Sequence, residues 1–149
     1  MKTYGTTRNF RNHNPGNVRP VDLPDVWLGQ VGIDNAPGGP FSIFGDYQNR
    51  EADFWGIRAC AHNFISYQVK DGCKTISEII SRHAPNTDNN DTHAYILFVA
   101  SRLGVDPGVQ INLSMDRVLL MQLCRAVFKD EGGNDPYPDQ MVQDAVDAA

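Results

Sequence analysis

The chain holds three glutamates, and their surroundings separate them. Glu51 falls in the first turn of a helix, where a carboxylate offsets the positive end of the dipole. Glu78 stands three residues after Thr75, the spacing of a capping box, so its carboxylate can satisfy a backbone N–H. Glu131 has no such local role. Leu120, Leu123, Cys124, Val127 and Phe128 share one face of a helix, and steps of about 100° bring Glu131 to within about 20° of Leu120. Its carboxylate ends an apolar stripe, aimed at the core or at a cleft floor. A helix C-terminus disfavours negative charge and partial burial acts in the same sense, so the expected pKa shift is upward. A carboxylic acid kept protonated near neutral pH can protonate a leaving glycosidic oxygen. The alternative is a side chain turned to solvent at a frayed end, beside Lys129 or Arg125.

Other residues carry weaker signals. Asn12, Asn14 and Asn17 surround Pro15-Gly16, either as turn formers or with amides that line a sugar groove and orient Glu131. Trp27 and Tyr137 are core residues or stacking platforms for sugar rings. His13, His62, His83 and His93 lack HExxH or any other metal-ligand spacing, so no metal site is expected. No Gly-Lys-Ser/Thr phosphate loop and no Gly-x-Ser-x-Gly elbow occurs, which leaves nucleotide hydrolysis and serine-type chemistry without support. No cofactor is implied. The three cysteines, Cys60, Cys73 and Cys124, are odd in number and lack CxxC spacing. They read as free thiols used as small hydrophobes in a chain folded under reducing conditions.

The elements that would position these groups change character near residue 50. To about Tyr47 the chain is rich in Gly, Pro and Asn and reads as loops with a small hairpin, Trp27–Ile33 pairing with Phe41–Phe44 across a Pro/Gly turn. Beyond it the period is helical, with helices expected at 52–69, 75–83, 92–103 and 115–131 and a short one from about Asp139. Asp91 or Thr92 caps the third, Gly104 ends it, and Gly132-Gly133 stops the fourth. The fold class is α+β and mostly helical, a single domain over residues 1–149 with a small N-terminal antiparallel sheet. The 149 residues, 41% hydrophobic and 21% charged, suit one globular core. A net charge of −5 without a basic stripe argues against nucleic acid as partner. No apolar run approaches the roughly 20 residues that span a bilayer, and the first residues have no signal-peptide character, so no membrane partner is expected and delivery to a cell wall would need other factors.

An ordered set of short motifs resembles one family. It comprises Arg8 to Arg19 with Asn14-Pro-Gly-Asn-Val-Arg19, Trp27-Leu-Gly-Gln30, Phe41-Ser-Ile-Phe44, Gly56-Ile-Arg-Ala59, Arg82-His-Ala-Pro85, Asp91-Thr92 with Tyr95, and Glu131-x-Gly133 before Pro136-Tyr137. The chain is similar to the small murein-degrading proteins of bacteriophage virions, lytic transglycosylases of the lysozyme superfamily. In the central loop family members often read Ala-Pro-x-x-Glu-Asn-Asp-Thr, whereas this chain has Ala84-Pro-Asn-Thr-Asp-Asn-Asn-Asp-Thr92. A loop glutamate is thus replaced by Asp88 or Asn89. That leaves Asp88 as the second-choice acid and favours Glu131. A looser similarity to the sheet region of bacterial glucosaminidases, with the glutamate-bearing helix after it instead of before, also selects Glu131.

The resemblance implies a lysozyme-like domain that cuts the β-1,4 bond between N-acetylmuramic acid and N-acetylglucosamine, with Glu131 catalytic and Asn14, Asn17, Trp27 and Tyr137 along the groove. A hydrolase would need a second carboxylate, for which Asp34, Asp88 and Asp91 are candidates. A transglycosylase would use Glu131 alone. The implied partners are peptidoglycan strands and other tail or capsid proteins. The implied location is the virion, with synthesis in the host cytoplasm and action on the periplasmic wall. A non-catalytic virion component and a wall-binding module are the alternatives.

Overall fold

A short helix, α1 (Arg8–Arg11), opens the described chain, and a two-stranded antiparallel sheet follows, β1 (Gln30–Asp34) and β2 (Phe41–Phe44). The structure is a computed structural model that describes residues 7–22, 24–88 and 90–149, with Asp88 described in its backbone only. Helices α2 (Ala52–Val69), α3 (Ile76–His83), α4 (Thr92–Leu103), α5 (Arg117–Gly132) and α6 (Asp139–Asp147) build the rest, with a 3-10 turn at Asn86–Asp88 between α3 and α4. About half of the chain is helical, which makes the fold α+β.

Caps set the helix boundaries. Thr75 accepts a hydrogen bond from the Glu78 N–H at 3.1 Å, and its hydroxyl donates to the Glu78 carboxylate at 3.3 Å. Asp91 accepts from the Ala94 N–H, and Asp116 accepts from the Leu119 N–H, both at 3.0 Å. Helix α5 therefore starts at Arg117, later than its expected residue 115. Gly104 and Gly133 end α4 and α5 with φ of 65° and 79°, the left-handed region that a Cβ disfavours. Glu51 is the N-cap of α2 and makes no side-chain cap bond, and Asp53 is the acid in that first turn. The dipole role expected of Glu51 thus belongs to Asp53.

Two local expectations change. The first strand begins at Gln30, because Trp27 and Gly29 turn the chain: Gln30 donates to the Trp27 carbonyl and Gly29 has φ 82°. Strand pairing runs Ile33 opposite Ser42 and Asp34 opposite Phe41, with a bulge between Gln30 and Gly32. Helix α1 lies where loop was expected.

The buried apolar side chains form one connected cluster. Phe44 from β2, Ile57 and Phe64 from α2, Ile79 from α3, Val99 from α4, Leu120 and Phe128 from α5 and Val142 from α6 are all at most 1% exposed. Burying such a side chain is worth about 1.5–3 kcal/mol each, so this cluster fixes how the helices meet. All three cysteines are free and buried.

Candidate active site

The apolar stripe of α5 is buried as its spacing predicts, with Leu120, Leu123, Cys124, Val127 and Phe128 fully inside. Glu131 continues that stripe in the last turn, with a side chain only 20% exposed. Three elements converge on its carboxylate. The Tyr95 hydroxyl of α4 donates to Oε1 at 2.9 Å, and the Asn17 amide of the N-terminal loop donates to Oε2 at 2.9 Å. His83, the last residue of α3, places Nε2 at 3.7 Å from Oε1, with its side chain 4% exposed. Its imidazole stands edge-on to the Phe64 and Tyr95 rings, which fixes its plane.

The charge balance differs from the sequence expectation. Burial pushes the Glu131 carboxyl upward, but His83, Asn17 and Tyr95 together outweigh it, and the pKa lies below the ordinary carboxylate value. The expected upward shift is therefore corrected. Helix dipole and burial were visible in the α5 sequence, whereas the donors come from positions far away in the chain. Tyr95 is driven the other way, mainly by burial and then by the Glu131 charge, so it stays a protonated donor.

Asn17 and Glu131 line a cavity of about 60 Å³ together with Arg19, Phe41 and His83. A neighbouring space of about 200 Å³ shares Asn17, Arg19 and His83 with it and adds Trp27, Asn63 and Arg82. Asn17 adopts φ 49°, a left-handed conformation that Asn tolerates better than most residues. Its Oδ1 is buried without a hydrogen-bond partner in the structure.

Of the four residues expected along a groove, only Asn17 meets Glu131 directly. Asn14 is fully buried and its amide is spent internally, donating to the Val18 and Ser42 carbonyls and accepting from the Val18 N–H. It staples the loop to β2, so its groove assignment is corrected. Tyr137 is 6% exposed against Phe128 and lines a separate small cavity near Asn9 and Thr7, so it does not open beside Glu131. Trp27 does reach the adjoining space, but as a wall. It is 8% exposed, its indole N–H donates to the Arg19 carbonyl at 2.9 Å, and its ring meets His62 edge-on at 5.6 Å. No open face is left for stacking a sugar.

Among the described residues lining the smaller cavity, Glu131 is the one acid. Asp34 is engaged by Asn12 at 3.0 Å and by Arg8 at 3.3 Å, and Asp91 caps α4. The side chain of Asp88 and the whole of Asn89 lie outside the described residues. Among the described residues, no group of three or more His, Cys, Asp or Glu side chains is placed to hold a metal ion. His83 and Tyr95 are the residues that sequence reasoning missed. In the sequence they stand within Arg82-His-Ala-Pro85 and after Asp91-Thr92, and no local pattern places either beside Glu131.

The fold and the site define a helical α+β protein with a buried carboxylate held by Asn17 and Tyr95, with His83 alongside, in a narrow cleft. The chain is 31% identical over 131 residues to Protein P5 of Pseudoalteromonas phage PM2, a match that covers 87% of this chain and 74% of that one. It belongs to the family of that phage protein. No protein-family model matches the chain. No helix among the described residues is long and apolar enough to cross a membrane.

Proposed function

We propose that the chain is a bacteriophage cell-wall lytic enzyme that cuts the β-1,4 bond between N-acetylmuramic acid and N-acetylglucosamine, with Glu131 as general acid and base. The observation that carries this reading is the setting of Glu131. One carboxylate ends an apolar helix face in a small cavity, and each of its oxygens accepts a hydrogen bond from a neutral donor. Those two bonds fix the carboxyl plane; His83 also faces Oε1, and Oε2 keeps a further lone pair for substrate. The helical body with its small sheet is compatible with a lysozyme-like layout. The phage relative supports a bacteriophage context; on this reading the protein works in the phage particle, beside tail or capsid proteins, with the host wall as its target.

At rest the donors keep Glu131 ionised. A glycan strand that fills the cleft excludes water and adds to the desolvation that favours the protonated form. Protonated Glu131 gives its proton to the leaving glycosidic oxygen as the C1–O bond breaks. The muramyl 6-hydroxyl then attacks C1, and its proton passes to the Glu131 carboxylate. The product is a 1,6-anhydro sugar and no water is consumed. Asn17 and Tyr95 hold the carboxylate through both transfers. We favour this route over hydrolysis because the described lining of the cavity offers no second carboxylate for water or nucleophile duty.

Murein turbidity clearance with mass analysis of the products tests the proposal. Glu131→Gln should lose about 10²–10⁴-fold in rate, the usual worth of a positioned proton donor. Asp88→Asn should clear murein like the wild type, and the products should carry anhydro ends. A fully active Glu131→Gln beside an inactive Asp88→Asn would move the acid to the central loop. A wild type that clears no sacculus would favour a non-catalytic virion component, or a wall-binding module if it still sediments with sacculi.

A further inference from the structure

The loop that carries Asn17 to Glu131 lies along one stripe of α2. Asp53, Gly56 and Cys60 share a helix face, being three and seven residues apart. Each meets a different part of the loop. The His13 imidazole places Nδ1 at 2.9 Å from the Asp53 carboxylate Oδ1. The His13 carbonyl and the Pro15 ring fill the space that a side chain on Gly56 would need, and an added Cβ on Gly16 would strike the Cys60 Sγ. Cys60 is buried, whereas the His13 and Asp53 side chains are 46% and 27% exposed.

The loop carries strain at both ends. His13 and Asn17 have φ of 51° and 49°, so a non-glycine residue in the left-handed region stands on each side of Asn14-Pro15-Gly16. That region costs an L-residue energy, less for Asn than for most. Local bonds offset part of the cost: the Asn14 N–H donates to the Asn9 carbonyl and the Asn17 N–H to the Asn14 carbonyl, both at 2.9 Å. Among the described residues, His13–Asp53 is the side-chain hydrogen bond that joins this loop to α2. An exposed pair of this kind ordinarily adds little to stability. Here it closes one end of a strained turn whose other end reaches the Glu131 carboxyl.

We propose that the His13–Asp53 pair is a clasp that holds the 12–17 loop down on α2 and so keeps the Asn17 amide on the Glu131 carboxylate. His13 and Asp53 are then positioning residues for the reaction at Glu131. Neither lines the Glu131 cavity, and both act through Asn17. The inference rests on the glycan-cutting reading for the reaction it serves, but the clasp is read without turnover, so the two stand or fall separately.

The readout is the titration of Glu131 by NMR in the full chain. With three glutamates in the sequence, isotope labelling of the glutamate carboxyls gives three signals, and Glu131→Gln assigns the relevant one. Asn17 is one of the groups that hold the Glu131 carboxyl below its ordinary value, so Asn17→Ala should raise the midpoint. Asp53→Ala should raise it too, and should add nothing in a chain that already carries Asn17→Ala. The sign discriminates, because removing a negative charge would by itself lower the midpoint of a nearby carboxyl. His83, Tyr95, Arg19, Cys60 and Asp130, the other groups around Glu131, are the same in all these chains. His13→Asn keeps a donor at the δ position and tolerates the left-handed φ, so it should retain the wild-type midpoint. His13→Ala carries the same test as Asp53→Ala should loss of Asp53 unfold α2. A midpoint that these variants leave unmoved or lowered, or raise equally with and without Asn17, overturns the proposal. A wild type that clears no murein while the midpoints follow this order sinks the glycan reading alone, whereas clearance with unmoved midpoints sinks the clasp alone.

Discussion

Glu131 is ionised by partners that no local pattern announces. Elimination among three glutamates and the α5 stripe located it in the sequence. The sign of its pKa shift could not be read there, because Asn17 and Tyr95 lie 114 and 36 residues away. The same limit explains Asn14 and Tyr137. The Asn-Pro-Gly-Asn run predicts a turn but not which amide faces inward, and an aromatic residue after Gly133 is equally suited to a core or a groove. A pH profile reads the balance at Glu131 directly. A general acid must be protonated, so a depressed pKa makes kcat/KM fall as pH rises above it, and clearance should be faster under mildly acidic conditions than at neutral pH. His83→Phe fills the slot between Phe64 and Tyr95 but removes the group that lowers Glu131 most. Its alkaline limb should move to higher pH. Tyr95, Asn17, Cys60, Arg19 and Asp130 also stand around this pair and are unchanged in the variant. The linked effect on stability has the opposite limb: the ionised form stabilises the fold above the ordinary carboxylate range, and this is lost as pH falls through the lowered value. Identical pH profiles for wild type and His83→Phe would deny the imidazole its role.

Helix α5 delivers Glu131, and its two ends are built differently. Its start rests on the Asp116 cap, a local device, so Asp116→Ala should cost about 0.5–2 kcal/mol in urea melts and leave kcat unaltered. Its finish rests on Gly132, where an added Cβ would run into the Asn9 side chain. Asn9 donates to the Pro15 carbonyl at 3.1 Å and so supports the loop that carries Asn17. Gly132→Ala should therefore cost about 1–3 kcal/mol through overpacking and, on the proposed function, also slow clearance, since the strain falls beside the Glu131 carboxyl. Equal behaviour of the two variants would contradict this division. Capping residues made the helices legible: α2 and α4 have the expected bounds, and α3 and α5 differ at their starts by one and two residues. Helix α1 has four residues, too few for a hydrophobic period to register. The first strand starts three residues later than its sequence suggests, because Trp27 and Leu28 look like strand residues while the turn at Gly29 depends on its positive φ.

Taken whole, the molecule joins an irregular N-terminal segment to a helical body, and the cleft lies between them. The joint is tight at Gly56 of α2, where a Cβ would overlap the His13 carbonyl oxygen and crowd Pro15. Gly56→Ala should displace the 12–17 loop from α2 and cost more than about 3 kcal/mol, with clearance lost well before helicity when urea is raised. Coincident loss of both signals at the wild-type midpoint would show that the joint tolerates a methyl group. The α+β class and the single hydrophobic cluster were legible from the change in period near residue 50, because burial patterns are local. How the loop meets α2 was not, because a glycine in a helix does not say what approaches it. One consequence concerns time. The Asn17–Glu131 hydrogen bond closes a loop of more than a hundred residues, so a ribosome must release the chain through Glu131 before this contact can exist. A copy lacking the N-terminal loop keeps Tyr95 and His83 beside Glu131 but loses the brace on Oε2, so on the proposed function the carboxyl is fully aligned only once both distant parts of the chain have met.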